Sequence, residues 1–458
     1  MPTLTTNPRV FREYDIRGVA ERDLHDNFVA ELGQALGAMF IGRGAQRITL
    51  GRDCRLSSPR IHATLKAQLL DAGLQIIDVG IVHTPALYFS VFHLKADGGV
   101  MITASHNPAE DNGFKIVVGR STIHGGDIQD LLRRMETRDF HRGARMGATT
   151  DHAILPDYID TIAGNIRLGA RRPKVIVDGG NGTGGVALLP ILQKLGLDVE
   201  GIFCEPDGRF PNHHPDPTVP ENLAALQARV DETGAEVGIA LDGDADRVGA
   251  VDGRGRIVWG DQLMMLFARE ILKEKPGATF VSEVKCSQAL FDEIAARGGR
   301  AIMWKVGHSL IKVKMKEEQA ALAGEMSGHM FFTEGFYGHD DALYGAARLL
   351  RILADSKATV AQMLADVPDY VSTPELRIEV PEELKFGLVE KAVKHFRSKH
   401  DVIDVDGVRV LFGDGWGLIR ASNTQPVIVA RYEAQTPERL AAIRGEMEGW
   451  LREQGVTV

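Results

Sequence analysis

The chain has 458 residues, too many for one compact core and enough for roughly three or four domains of ordinary size. Its hydrophobic share of 44% and charged share of 25% are those of an ordinary globular protein. Lys and Arg number 53 against 62 Asp and Glu, a formal charge of -9 with no long run of one sign; this argues against nucleic acid as a main partner but leaves room for a local anion site.

From the start of the chain, MPTLTTNPRVF has neither the basic segment nor the apolar stretch of a secretory signal, and no run of about eighteen apolar residues follows. A cytoplasmic protein with no membrane partner is expected. Cys54, Cys204 and Cys286 are widely separated and fit no zinc spacing, so reduced structural thiols are expected.

A unit of strand, turn, helix, glycine and strand then occurs three times. It runs first from Ile48 as ITLGRDCRLSSPRIHATLKAQLLDAGLQIIDVG, with Ser58 as helix cap, Pro59 at the first helical position and Gly73 at the stop. KVIVDGGNGTGGVALLPILQKLGLDVEGIF repeats it from Lys174, and TFVSEVKCSQALFDEIAARGGRAIMWKVG from Thr279, with Ser287 as cap and Gly298-Gly299 as stop. This is the grammar of a mainly parallel sheet covered by helices. From about Val367 a strand, a helix over 384–398, the closely spaced strands VRVLFG, WGLIRAS and PVIVARYEA, and a last helix from Pro437 predict an antiparallel α+β domain. The fold class expected is therefore α/β: three similar mixed α/β domains (1–150, 151–252, 253–366) and a C-terminal α+β domain (367–458).

Four polar loops stand out against this frame. TASHNP (103–108) places Ser105 after the apolar strand GGVMIT; strand-end turns often contain Ser, Asn and Pro, but GxSxG and SxxK signatures are absent. A serine hydroxyl is a poor nucleophile near neutral pH and needs a base, a metal or an already attached phosphate. His106 is not read as that base, because adjacent side chains usually diverge. DGDADR (242–247) puts Asp242, Asp244 and Asp246 at i, i+2, i+4, on one side of an extended segment, a hard-oxygen set suited to Mg2+ or Ca2+ and not to zinc. An EF-hand is excluded because Arg247 stands at its glycine position and Gly253 at its twelfth. Arg247 beside the acids can grip a phosphate oxygen.

GEMSGH (324–329) offers Glu325, Ser327 and His329 at alternate positions, which an extended loop would point one way, towards hydroxyls. A glycine-flanked turn with an exposed Glu is the plainer reading of that loop alone. RASNTQP (420–426) sets Arg420 beside short hydroxyl and amide side chains that can cradle phosphate, or form an ordinary hairpin turn. GGNGTGG (179–185) lacks the Lys of a phosphate loop and reads as a tight strand-to-helix turn.

With these segments in order, the chain resembles the α-D-phosphohexomutase superfamily over essentially its whole length, and within it the bacterial phosphomannomutase/phosphoglucomutase group. The likeness extends to YDIRG (14–18), NGFK ending at Lys115, FPNHHPDP from Phe210, VKC around Lys285 and KVGHSLIK around His308. The resemblance implies four domains around a deep cleft, Ser105 carried as phosphoserine, and Mg2+ bound by its phosphate and the three aspartates. It implies Arg17, Lys115, His308 and His329 at the reaction centre, with Tyr14, Lys285 and Arg247 beside it. Glu325 and Ser327 would hold the sugar, and Arg420, Ser422, Asn423 and Thr424 the phosphate that is not transferred. Ala245 stands where the family more usually has Gly, and Gln425 varies the last loop.

The activity so implied is reversible transfer of a phosphoryl group between the 1- and 6-positions of mannose or glucose phosphates, through a hexose 1,6-bisphosphate that turns around in the cleft. Lys115 and His308 are both candidates for the base. The partners expected are small hexose phosphates, the oligomeric state a monomer, and a hinge near 366–372 would let the last domain move. A phosphoglucosamine mutase is the alternative within the class; its members more typically carry GEQSGH and RxSGTEP. A sugar-phosphate phosphatase and an inactive binding protein are the alternatives outside it.

Overall fold

The computed structural model describes residues 7–458 except residue 424. The three sequence repeats form three units of parallel strands flanking a helix. Arg47–Arg52 and Gln75–Ile81 flank the helix Ser58–Asp71; Val175–Asp178 and Val199–Ile202 flank Gly185–Lys194; Thr279–Glu283 and Arg300–Trp304 flank Gln288–Ala296. Ser287 caps its helix as expected, accepting from the Ala289 N–H at 3.1 Å. The first helix differs by one residue: Ser57 precedes it without a side-chain cap, and the Ser58 hydroxyl donates instead to Asp53 Oδ1 at 2.5 Å.

Each of these sheets then gains an antiparallel return, and the sheets are mixed for one shared reason. Gly98–Ile102, Val237–Leu241 and Leu322–Gly324 each run parallel to the first strand of their unit. Each then turns back antiparallel, into Asp111–Val118, Val248–Asp252 and Met330–Phe332. The three polar loops are these turns, at the carboxyl ends of the parallel strands, where open α/β sheets present their binding sites. The second sheet runs on past residue 252, since Ile257–Val258 pairs with Val248–Asp252; the expected boundary there falls inside a hairpin.

The fourth sheet is antiparallel throughout, ordered Val371–Ser372, Val427–Ala434, Gly415–Ala421, Val408–Leu411, Asp401–Ile403, with Leu376–Glu379 also on Val427–Ala434. Helices Lys385–Arg397 and Pro437–Glu453 share its apolar core. The last of the four loops is the turn between Gly415–Ala421 and Val427–Ala434.

Packing divides the molecule unequally. One continuous apolar core joins side chains of the first three units, among them Phe89, Met101, Tyr158, Val177, Leu266 and Phe332. The fourth unit has its own core and meets the third through a small apolar cluster, Val284 on Trp416 and Leu418, framed by polar contacts. There the buried Arg409 donates to the carbonyls of Val284 at 2.7 Å and Cys286 at 2.8 Å, its guanidinium 3.7 Å from the Trp416 ring centroid. Glu433 accepts from the Ser287 hydroxyl at 3.0 Å and the Gln288 N–H at 3.1 Å. No helix of the described residues is long and apolar enough to cross a membrane.

One buried acid in the shared core makes stability depend on pH. Asp341 caps the helix Ala342–Ala354, accepting from the Tyr344 N–H at 2.8 Å, and also accepts from the Tyr158 hydroxyl at 2.8 Å. Burial, with the neighbouring Asp340 charge, pushes its carboxyl up to about 7 from 3.8. A carboxyl raised in the folded state favours folding while protonated, and that advantage is lost as pH rises from about 4 through about 7. Asp341→Asn keeps the cap and removes the titration. It is expected to match wild type near pH 4 and to exceed it by about 2–4 kcal/mol near pH 8, read from urea melts at both pH values.

Candidate active site

Ser105 lies in a tight turn at the end of Gly98–Ile102, held at φ 52° with its N–H on Thr103 Oγ1 at 2.9 Å. A left-handed conformation is uncommon for a residue with a Cβ, and this one swings the side chain across to the second unit. The Ser105 hydroxyl donates to Asp242 Oδ2 at 2.6 Å. The same turn corrects the expectation for His106: its Nδ1 lies 3.2 Å from Ser105 Oγ, because the left-handed residue brings adjacent side chains together. Burial, with Arg247 and Arg17 nearby, holds the His106 imidazole far below its ordinary range, so it faces the serine uncharged.

The aspartates converge by a turn and not along an extended segment. Ala245 donates its N–H to the Asp242 carbonyl at 3.0 Å and takes φ 56°, while the Arg247 N–H caps Asp242 Oδ1 at 3.1 Å. The left-handed φ is the physical reason a glycine suits the position that Ala245 fills. Gly243 has no room for a side chain, since a Cβ there would stand 2.5 Å from the Ser105 carbonyl oxygen. GGNGTGG supports this turn from below, with the Thr183 N–H on the Gly243 carbonyl at 3.1 Å.

All three aspartates are fully buried, and one oxygen of each lies within 4.8 Å of the others. The first unit answers their charge: Lys115 Nζ donates to Asp244 Oδ2 at 2.8 Å and to Asp246, and Thr84 Oγ1 donates to Asp244 Oδ2 at 2.5 Å. Despite burial, Lys115 and Thr84 hold Asp244 below its ordinary range, and Asp244 and Asp246 hold Lys115 above its own. Burial, then Asp246 and Asp244, drives the Asp242 carboxyl well above its usual range. Oδ1 of both Asp244 and Asp246 is buried without a hydrogen-bond partner. Three converging carboxylates, two of them with an unpartnered hard oxygen, beside a serine oxygen fit a divalent cation.

Glu325, Ser327 and His329 also converge through a turn. The Glu325 N–H meets the His329 carbonyl at 3.0 Å, and the Gly328 N–H at φ 95° meets the Glu325 carbonyl at 3.0 Å. Glu325 Oε1 accepts from the Gly307 N–H at 2.7 Å, and Oε2 from Ser327 Oγ at 3.3 Å. Arg247 Nε donates to His329 Nε2 at 3.0 Å. An arginine nitrogen can only donate, so the ring proton sits on Nδ1, which faces Asp340 Oδ2 at 3.3 Å and Asp246 Oδ1 at 3.5 Å. His308 stacks on His329 at 5.6 Å, and burial beside Lys312 holds it well below its ordinary range.

The fourth loop joins the others through two bridges. Tyr14 donates to the Val306 carbonyl at 2.7 Å and accepts from Asn423 Nδ2 at 2.9 Å, so one phenol touches the first, third and fourth units. Asp406 Oδ2 accepts from Arg420 Nε at 3.0 Å and from the Val306 N–H at 3.0 Å. Ser422 Oγ accepts from the Gln425 N–H at 3.1 Å, and Thr424 lies outside the described residues. Lys285 donates to Glu375 Oε2 at 3.0 Å; despite burial, that acid and Glu283 push it up to about 12. Arg17 is aimed by Asn107 Oδ1 at 2.7 Å and Asp15 Oδ2 at 2.5 Å.

A cleft of about 1250 Å³ brings these loops together. Tyr14, Arg17, Arg247, Lys285, His308, Glu325, Ser327, His329, Arg420 and Ser422 line it, as does His106. Ser105, Lys115 and the three aspartates are buried and do not line it, although His106 and Arg247, next in sequence to Ser105 and Asp246, do. Sequence reasoning missed Thr84, Asp340, Lys312, Glu375 and Asp406. Lys312 had a signal, standing four residues after His308 on one helix face. Asp340 had only its place in an acidic pair before a helix, which reads as a cap.

Four family descriptions match in succession: phosphoglucomutase/phosphomannomutase alpha/beta/alpha domain I over residues 8–142, domain II over 156–255, domain III over 259–370, and the C-terminal domain over 375–449. A phosphomannomutase/phosphoglucomutase of Pseudomonas putida is 46% identical over 436 residues, 95% of this chain and 94% of that one. A phosphoglucomutase of Neisseria gonorrhoeae is 44% identical over 443 residues, 96% of each chain. The crystal structure of a phosphoglucomutase/phosphomannomutase family protein from Burkholderia thailandensis superposes with a TM-score of 0.91 at 39% identity, covering 98% of both chains.

The acidic set yields a test independent of turnover. Magnesium is expected to raise the melting temperature, since an ion at about 100 times its dissociation constant adds about 2.7 kcal/mol to the folded state. Asp244→Asn should abolish that shift, whereas Glu375→Gln, a cleft acid outside the triad, should keep it in differential scanning fluorimetry.

Proposed function

The chain belongs to the phosphoglucomutase/phosphomannomutase family, and on that premise we propose that Ser105, carried as phosphoserine, is the phosphoryl donor and acceptor of its reaction. The enzyme is a hexose phosphate mutase, an isomerase. The observation that carries the serine's role is its 2.6 Å hydrogen bond to Asp242, at the edge of a buried acidic set that belongs to another unit. With the phosphoryl group attached the serine is a donor and needs no base; in the return transfer its hydroxyl is the nucleophile and gives up the proton that it directs at Asp242.

In this reading the phosphoserine gives its group to the 6-hydroxyl of a hexose 1-phosphate, and the resulting 1,6-bisphosphate turns and returns its 1-phosphate to Ser105. Mg2+, held by Asp242, Asp244, Asp246 and the serine phosphate, would supply neutralisation of charge on the group in transfer. Arg247 and Arg17, both lining the cleft, bind the phosphoryl oxygens. Glu325 and Ser327 accept and donate to sugar hydroxyls. Arg420, Ser422, Asn423 and Thr424 hold the distal phosphate, with Tyr14 and Lys285 at their side. Because the bisphosphate must fit either way round, the sugar contacts are few and the distal grip is separate.

Of the two candidate bases, His308 is preferred. It lines the cleft with an imidazole kept neutral by burial and by Lys312, whereas Lys115 is buried with its ammonium hydrogens on Asp244 and Asp246. Despite burial, Lys312 holds Asp340 well below its usual range, and this carboxylate, 3.8 Å from His308 Nδ1, would stabilise the imidazolium formed when His308 takes the hydroxyl proton. All four loops come from one chain, so the reading is met by a monomer. The names of the relatives favour mannose and glucose phosphates over an amino sugar, and favour a mutase over a phosphatase.

Incubation with glucose 1,6-bisphosphate is expected to add one phosphoryl group in the intact mass of wild type and none in Ser105→Ala. That variant should lose about 10⁴-fold or more in kcat. Label that persists in Ser105→Ala would sink the carrier role. Steady-state assays with mannose, glucose and glucosamine 1-phosphates should favour the two neutral sugars, and His308→Ala should lower kcat by about 10²-fold.

A further inference from the structure

Arg55 is a buried cation that the mechanism does not use. Its side chain has no exposed surface, and it belongs to none of the four loops. Its donors meet four backbone carbonyls of a single turn: Nη2 reaches Ser105 at 2.8 Å and Asn107 at 2.7 Å, and Nη1 reaches Asp111 at 3.0 Å and Pro108. Asp53 Oδ2 stands 3.2 Å from Nε, and Asp53 Oδ1 takes the Arg55 N–H at 3.0 Å and the Ser58 hydroxyl at 2.5 Å.

Four carbonyl dipoles turned to one buried point repel one another and hold only around a cation with donors in several directions. A guanidinium has five N–H groups in a fixed plane, and an ammonium cannot span the same set. The second unit closes the arrangement. Phe210, from FPNHHPDP, puts its ring 5.0 Å from the guanidinium, and Gly208 packs so tightly that a Cβ would stand 2.6 Å from Arg55 Cα. The Ser105 carbonyl is thereby fixed between the guanidinium and the Gly243 backbone of the aspartate turn.

We propose that Arg55, stacked under Phe210, is a positioning residue that sets Ser105 against the acidic triad by gathering the carbonyls of the 105–111 turn. This rests on the reading of Ser105 as the phosphoryl carrier. The bisphosphate leaves and re-approaches the serine in opposite orientations, and both transfers require the same oxygen position. Arg55 touches neither substrate nor the reacting atoms, so its loss affects the rate of transfer and not the binding of sugar phosphate.

The test uses the full-length enzyme with R55K, which keeps the charge but not the span, and F210A, which removes the ring but no donor. For variants that melt cooperatively, kcat with glucose 1-phosphate should fall about 100-fold in R55K and about tenfold in F210A, with KM within about threefold of wild type. Phosphorylation of Ser105 by glucose 1,6-bisphosphate should slow in parallel in a rapid-quench experiment. Should R55K not fold, F210A alone decides the matter. Wild-type kcat and labelling rate in a folded variant, or a loss that tracks only the unfolded fraction, would overturn the role of Arg55. Wild-type enzyme that takes no phosphate on Ser105 would overturn the carrier reading and this inference together.

Discussion

Three carboxylates buried within 4.8 Å of one another are the constraint on which the rest of this structure depends. Like charges at that distance, away from water, are tolerated only when cations and donors are brought to them. No single unit supplies both sides. The second contributes Asp242, Asp244 and Asp246, the first Lys115, Thr84 and Ser105, and the third His329, which links Asp246 to Asp340 and Lys312. The electrostatic cost of the triad thus enforces the assembly of three units that otherwise repeat one simple fold.

The way those units are joined follows from that need. Reaction geometry must be the same on every turnover, and one apolar core runs through all three. The fourth unit grips a part of the substrate that changes ends. It meets the third through Arg409, Glu433 and the Lys285–Glu375 pair, and its loop meets the first through Tyr14. That seam is buried too, with Val284 of the third unit packed on Trp416 and Leu418 of the fourth, so apolar contact and polar pairs together dock the unit that carries the distal phosphate grip.

A shared local device makes the loops converge. Each sits at the reversal between two antiparallel strands, and the first three turn at a residue in left-handed conformation: Ser105, Ala245 and Gly328. A reversal at the carboxyl end of parallel strands concentrates side chains in the cleft. It also explains why alternate residues of DGDADR and GEMSGH point together, as their spacing suggested, though not along extended backbone.

The sequence by itself determined the repeated strand-helix-strand units, the antiparallel C-terminal unit, the acidic set and the four loops, because periodicity, turn residues and clustered carboxylates are local properties. Tertiary structure alone decided that His106 faces Ser105, that Lys115 is committed to two aspartates, that Tyr14 joins three units and that Arg55 gathers the serine turn. Each of those facts depends on a backbone reversal or on partners far apart in the chain; Lys115 and Asp244 are separated by 129 residues. A buried arginine leaves no periodic trace in the sequence, because its position is fixed by carbonyl groups, and every residue type carries the same carbonyl.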